Sequence, residues 1–166
     1  HCPVWLTDVT NMDDAYEMIS TIGQLTGKTT EAEALVQSIN IAFSDLKNIS
    51  DPPNTAYLIW KDPLMTVGGD TFISQLMKIA GFHNLYAHTK RYPEISLEDL
   101  ISKDCRVLLL SSEPYPFSEK HIATFQAILP DVKILLVNGE MFSWYGSRLL
   151  ESPAYFHKLR AEAGLA

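Results

Sequence analysis

Apolar positions recur every three or four residues through residues 30–48 (TEAEALVQSINIAFSDLKN). Leu35, Ile39, Ala42, Phe43 and Leu46 share one face of the helix this spacing predicts. Thr30 with Glu33 has capping-box form at its start. At its end, Asn48-Ile49-Ser50-Asp51-Pro52-Pro53 cannot continue a helix, because a residue before proline is pushed out of the α region. The expectation is a rod of roughly 28 Å at about 1.5 Å per residue. Before it, the run 4–8 (VWLTD) predicts a short strand. Residues 11–25 predict a helix, with Ala15, Met18, Ile19, Ile22 and Leu25 on one side and Gly27 as its stop.

Beyond the two prolines the period changes. Short apolar runs at 56–60 (AYLIW), 106–111 (RVLLLS) and 133–137 (KILLV) read as strands buried on both faces, with a weaker strand at 84–87. Helical stripes lie between them. Asp70 is the expected cap of a helix through Ala80 closed by Gly81, and Ser96 with Asp99 opens a short helix through Ser102. Ser118 starts a helix carrying Ile122, Phe125 and Leu129, and Ser152-Pro153 supplies a cap and a first-turn proline for the last helix. Strands alternating with helices predict an α/β fold: a three-layer α/β/α lobe with a mainly parallel sheet, preceded by a long connecting helix.

Composition adds boundaries rather than identity. The 166 residues carry 46% hydrophobic and 20% charged positions, which is ordinary globular usage with room for one core. A net charge of −7 and scattered lysines and arginines give no electrostatic support to nucleic-acid binding. Cys2 and Cys105 fit neither a metal-ligand spacing nor a disulfide framework. No apolar run approaches the ~18 residues of a membrane span. A chain opening on Cys2-Pro3-Val4-Trp5-Leu6, without start methionine or signal peptide, reads as a fragment or a processed product.

Ligands of open parallel sheets bind at the carboxyl ends of the strands. That rule selects residues 61–69, 88–95, 111–117 and 138–148, loops rich in Tyr92, Tyr115, Phe117, Phe142, Trp144 and Tyr145, with Trp60 at a strand end. Such rings either line a large, partly apolar ligand or partner, or fold back as local core. Gly68-Gly69-Asp70-Thr71 before a helix is read as an anion-binding turn or as a tight turn with an aspartate cap. It lacks P-loop spacing. The histidines His1, His83, His88, His121 and His157 show no metal-site spacing, and GxSxG is absent. Glu113 and Glu140 each follow a strand, either as a carboxylate pair or as solvated loop residues. Nothing in the pattern argues for an enzyme.

In order and spacing, several stretches resemble the carboxyl-terminal lobe of the helical-backbone-metal-receptor family. These are substrate-binding proteins of class III ABC importers for cobalamin, ferric siderophores or haem. The matching stretches are Pro3-Val4-Trp5-Leu6-Thr7-Asp8, Ile22-Gly23-Gln24-Leu25-Thr26-Gly27, Tyr57-Leu58-Ile59-Trp60, Val67-Gly68-Gly69-Asp70-Thr71-Phe72-Ile73, Arg91-Tyr92-Pro93-Glu94-Ile95-Ser96-Leu97-Glu98 and Gly139-Glu140-Met141-Phe142-Ser143-Trp144-Tyr145-Gly146-Ser147-Arg148. The resemblance implies two lobes joined by a rigid helix. Residues 1–29 would be a remnant of the amino-terminal lobe, 30–50 the backbone helix and 51–166 the ligand-binding lobe.

It further implies a metal chelate, cobalamin or ferric siderophore, faced by Tyr92, Trp144 and Arg148, to which the strand-end rule adds Trp60, Tyr115, Phe142 and Tyr145 as ligand-binding rings; no catalytic residue, protein-bound metal or intrinsic cofactor is expected. Arg148 would suit a carboxylate or phosphate on the chelate, or the other lobe, and is otherwise a surface ion pair. Glu98 matches the glutamate that docks a lobe onto the permease, although a glutamate in a first helical turn is stabilising by itself. The implied location is periplasmic or lipid-anchored outside the cytoplasm. The resemblance also implies an uncovered amino-terminal part, a surface for a partner, for self-association or left by truncation. The alternatives are an intracellular Rossmann-like cofactor-binding or enzyme domain and a protein-interaction domain without a small ligand.

Overall fold

In the computed structural model, which describes residues 2 and 4–165, a four-stranded sheet is covered by helices on both faces. Two helices come first, α1 (Met12–Thr26) and α2 (Thr29–Ser44). The alternating part follows as β1 (Asn54–Leu58), α3 (Phe72–Ile79), β2 (His83–Asn84), α4 (Leu97–Ser102), β3 (Val107–Ser111), α5 (Glu119–Ile128) and β4 (Lys133–Val137). It closes with α6 (Glu140–Ser143), a 3₁₀ turn (Ser147–Leu150) and α7 (Ser152–Ala163). The strands run in the order β2-β1-β3-β4 and every pairing is parallel, as the apolar runs predict.

Alternate side chains of each strand leave for opposite faces. Tyr57, Val107, Leu109 and Val137 meet Ile19 of α1, Ile39 of α2, Leu76 and Met77 of α3, Phe142 of α6 and Phe156 of α7. Ala56, Leu58, Leu108, Leu110 and Ile134 meet Leu100 of α4, Phe125 of α5 and the connecting residues Tyr86, Cys105 and Phe117. The three expected layers are therefore present, with α1, α2, α3, α6 and α7 on one side and α4 and α5 on the other.

Several boundaries differ from expectation, each for an identifiable reason. Residues 4–8 form no strand, because they find no strand to pair with among the described residues; Val4 and Leu6 are 80% and 86% exposed. The helix expected over 30–48 runs Thr29–Ser44, about 24 Å at 1.5 Å per residue. Gly27 takes the left-handed conformation (φ 70°), and the Lys28 N–H donates to the Gly23 carbonyl at 2.6 Å. So tight a turn starts α2 at once, with Lys28 as N-cap and no side-chain cap. The Thr30–Glu33 capping box does not form, and Lys28 instead pairs with Glu31 at 3.0 Å. At the other end the Lys47 carbonyl is taken by the Arg160 guanidinium at 2.8 Å.

Thr71, not Asp70, caps α3, accepting from the Ser74 N–H. Asp70 instead accepts from the Arg91 N–H at 2.6 Å. The weak strand expected at 84–87 is His83–Asn84. After it the Asn84 side chain accepts from the Tyr86 N–H and turns the chain away. Ser152 does not cap α7; its hydroxyl donates to the Met141 carbonyl at 2.8 Å, and Pro153 sits in the first turn. The Ser96–Asp99 capping box of α4 is formed as read, and Gly27 ends α1 as read.

Candidate functional site

At the carboxyl ends of β1 and β3 the sheet opens into a cleft of about 400 Å³. Its walls are Tyr57 and Ile59 of the β1 end, Ile73 of α3, Tyr92, Ser143, and Ser111, Glu113 and Pro114 of the β3 end. The floor is a chain of hydroxyls. The fully buried Tyr57 phenol donates to Ser111 Oγ at 3.1 Å, and Ser111 Oγ donates to the Glu113 carbonyl at 2.6 Å. Burial holds the Tyr57 phenol well above its ordinary pKa, so it stays a neutral donor.

Glu113 ties two loops together. Its Oε1 accepts from the Ser143 hydroxyl at 2.7 Å and from the Trp144 indole N–H at 3.1 Å. The approach needs a glycine behind it. A Cβ on Gly139 would lie 2.5 Å from Glu113 Cγ and 2.6 Å from Ser111 Oγ. The indole so positioned is half exposed, with the Arg148 guanidinium 5.8 Å from its ring centre. Arg148 meets Glu140 at 3.1 Å and Glu151 at 3.0 Å, so its charge is offset twice within the protein.

Tyr92, 47% exposed, is carried by a loop whose backbone is pinned at several points. The Gly68 N–H donates to the Arg91 carbonyl at 2.7 Å, Gly69 to Thr89 at 3.0 Å and Thr66 to Pro93 at 3.0 Å. Arg91 adopts a positive φ of 55° held by Asp70 and pairs with Asp8 at 3.1 Å. The Gly68 and Gly69 donors are thus spent on this loop, which removes the anion-turn reading. Both glycines are needed because a Cβ on either would enter the backbone of residues 87–90.

The seven ring and arginine candidates do not form one wall. Tyr92 lines the cleft and Trp144 adjoins it through Glu113. Tyr145 packs edge-on against Phe72 at 5.4 Å. Trp60 and Tyr115 form a separate ridge, 5.6 Å apart, continued by Phe117 at 4.7 Å from Tyr115. Phe142 is a correction: it has no exposed surface and sits in the core 4.9 Å from Phe156 and 5.2 Å from Tyr57, because α6 turns its inner face onto the sheet. Glu113 and Glu140 bind different partners and make no carboxylate pair. Glu98 stands exposed in the first turn of α4.

Tyr57, Ile73, Ser111, Glu113 and Ser143 also line the cleft and carry no ligand signature in the sequence. The position of Glu113 two residues past a fully buried strand was the available signal; its two donors come from a loop thirty residues away. Among the described residues no group of three His, Cys, Asp or Glu side chains is placed to hold a metal ion, and no helix is long and apolar enough to cross a membrane.

A family model described as periplasmic binding protein matches residues 1–127. A protein of Vibrio parahaemolyticus named vitamin B12-binding protein is 22% identical over 113 residues, covering 66% of this chain and 41% of that protein. One from Halobacterium salinarum named cobalamin-binding protein is 30% identical over 106 residues, covering 60% and 29%. The match thus spans less than half the length of either curated relative. Among solved structures, a possible iron-binding (periplasmic solute-binding) protein from Staphylococcus epidermidis aligns with a TM-score of 0.77 at 20% identity, covering 96% of this chain and 65% of that one. At that identity the likeness speaks for the fold.

Proposed function

The chain belongs to the periplasmic binding protein family, and from that premise we propose that it is the carboxyl-terminal lobe of an ABC importer's solute receptor, one wall of a site for a metal chelate. The cleft at the strand ends carries this reading: it is mostly apolar, has a few fixed hydroxyl and carboxylate groups, and is flanked by the exposed rings of Tyr92 and Trp144. The metal would arrive inside its chelator, so the protein needs no ligand set of its own. Cobalamin and a ferric siderophore are the proposed cargoes.

A cleft of about 400 Å³ accommodates only part of such a ligand, which supports a second wall from another lobe. On this reading α2 is the connecting strut, and α1, although it packs into this lobe's core through Ala15 and Ile19, is the part of the chain that leads from the other lobe. The exposed Val4, Leu6, Ile22 and Leu25 support a neighbour on that side. Glu98 would dock the permease, and the receptor would work outside the cytoplasm, free or lipid-anchored.

Titrating the full-length natural protein with cyanocobalamin and with a ferric hydroxamate, followed by tryptophan fluorescence, tests the proposal. Quenching by either chelate is expected, weakened about tenfold or more by Tyr92→Ala and by Trp144→Ala with the fold intact. Binding of a nucleotide and of neither chelate would overturn the reading. Unchanged affinity in both variants would remove the site assignment.

A further inference from the structure

The cleft has a charge of its own, and the side chains around it do not cancel it. Of the residues that line it, Glu113 alone is charged. Both of its protein donors, Ser143 Oγ and Trp144 Nε1, converge on Oε1, and no described residue bonds Oε2. Two indole and hydroxyl bonds hold the group in place without neutralising it, since neither donor is a cation.

The cations on either side offer no compensation. Arg91, next to Tyr92, is shared between Asp8 at 3.1 Å and Asp70 at 3.8 Å. Arg148, beside Trp144, is shared between Glu140 and Glu151. Each arginine therefore meets two carboxylates, and both clusters carry a residual negative charge. Lys61, beyond the Trp60 ridge, is paired with Asp62 at 3.0 Å. A ligand with peripheral carboxylates would bring them against a fixed anion in a largely apolar cleft, where repulsion is stronger than in water. A ligand edged with N–H or O–H donors would instead meet a positioned acceptor, giving charge-assisted hydrogen bonds.

Building on the receptor reading above, we propose that Glu113 sets the charge selectivity of the site. It accepts a donor from a neutral or cationic metal chelate through Oε2 and excludes chelates that carry anionic substituents. The arginine expected to receive a ligand carboxylate, Arg148, then serves to fix the Trp144 ring rather than to bind an anion. The ligand class is an amide-edged or hydroxamate chelate, not a carboxylate-bearing porphyrin.

Glu113→Gln is the informative change, because the amide oxygen can still accept from Ser143 and Trp144 while the charge is lost. The full-length natural protein and this variant are titrated with cyanocobalamin, the cationic trihydroxamate ferrioxamine B, and haemin with its two propionates. The natural protein should bind cyanocobalamin or ferrioxamine B about tenfold or more tighter than haemin, and Glu113→Gln should close most of that gap. On the unaltered protein, raising the ionic strength to about 0.5 M should also narrow the gap by screening the repulsion. This second measurement decides the matter even if the variant does not fold.

Equal binding of all three probes by the natural protein overturns this inference and leaves the receptor reading standing. So does a preference unmoved by the variant or, where the variant does not fold, one unmoved by salt. Binding of none of the three overturns the receptor reading and this inference with it.

Discussion

Arg160 of α7 offers the most direct test of how the lobe is held together. It is buried, and its guanidinium donates to three backbone carbonyls: Ala80 through Nε at 2.9 Å, Lys47 through Nη1 at 2.8 Å and Ile79 through Nη2 at 2.8 Å. The Ile79 and Ala80 carbonyls belong to the carboxyl end of α3, where a cation is favoured by the helix dipole. The Lys47 carbonyl lies in the segment that follows α2. One side chain thus joins α7 to α3 and to the exit of α2.

Arg160→Met keeps the apolar stem and removes all three donors. Hydrogen bonds to a charged group contribute about 1.5–3 kcal/mol each, but removing the buried charge also removes its desolvation cost. The net loss should be about 3 kcal/mol, well below the sum of the three. Arg160→Lys retains the charge but lacks the planar fork, and should lose about 1–2 kcal/mol. For a chain of this size the methionine variant should melt about 6–12 °C lower. Urea unfolding followed by circular dichroism measures this directly: the midpoint should fall with the slope unchanged. A loss below about 1 kcal/mol for Arg160→Met, or a lysine variant as unstable as the methionine one, would refute the clamp.

Two further outcomes are expected. Glu98→Ala should lower chelate uptake by cells while leaving ligand affinity unchanged and costing at most about 1 kcal/mol of stability through the lost first-turn charge. Normal uptake would leave Glu98 as a helix-dipole residue only. Burial pushes the Cys105 thiol up to about 11 from its ordinary 9.0. The stability this shift represents is fully present below pH 9.0 and is lost as the pH rises toward about 11, because the unfolded chain ionises first. Iodoacetamide at about pH 8 should therefore leave Cys105 of the folded protein unmodified. Prompt alkylation would contradict the burial.

Elements whose cause is local were legible in the sequence. The apolar strands at β1, β3 and β4 declare themselves because a strand covered on both faces has no polar side to show. The capping box of α4 and the left-handed stop at Gly27 depend on neighbours within a few residues. From these the parallel three-layer lobe follows, and so does the sheet edge at which the cleft opens. The receptor resemblance, read from the same stretches, agrees with the family match over residues 1–127.

Some failures come from a competing local turn, and others from a distant group with a stronger claim on a residue than its neighbours have. Thr30 and Glu33 have capping-box form, yet the turn at Gly27 and Lys28 starts the helix before them. Asp70 could have capped α3 but is taken by Arg91, and the Lys47 carbonyl by Arg160. In the site, Phe142 is as aromatic as Trp144 and lies two residues from it. Which of the two faces the core is decided by how α6 lies on the sheet. Glu113 and Gly139 come together only when β3 and β4 pair in register, Ser111 opposite Val137. The pattern of apolar and polar residues determines the layers and the sheet edge at which the cleft opens. The tertiary pairing of strands and loops decides which charged side chain lines it.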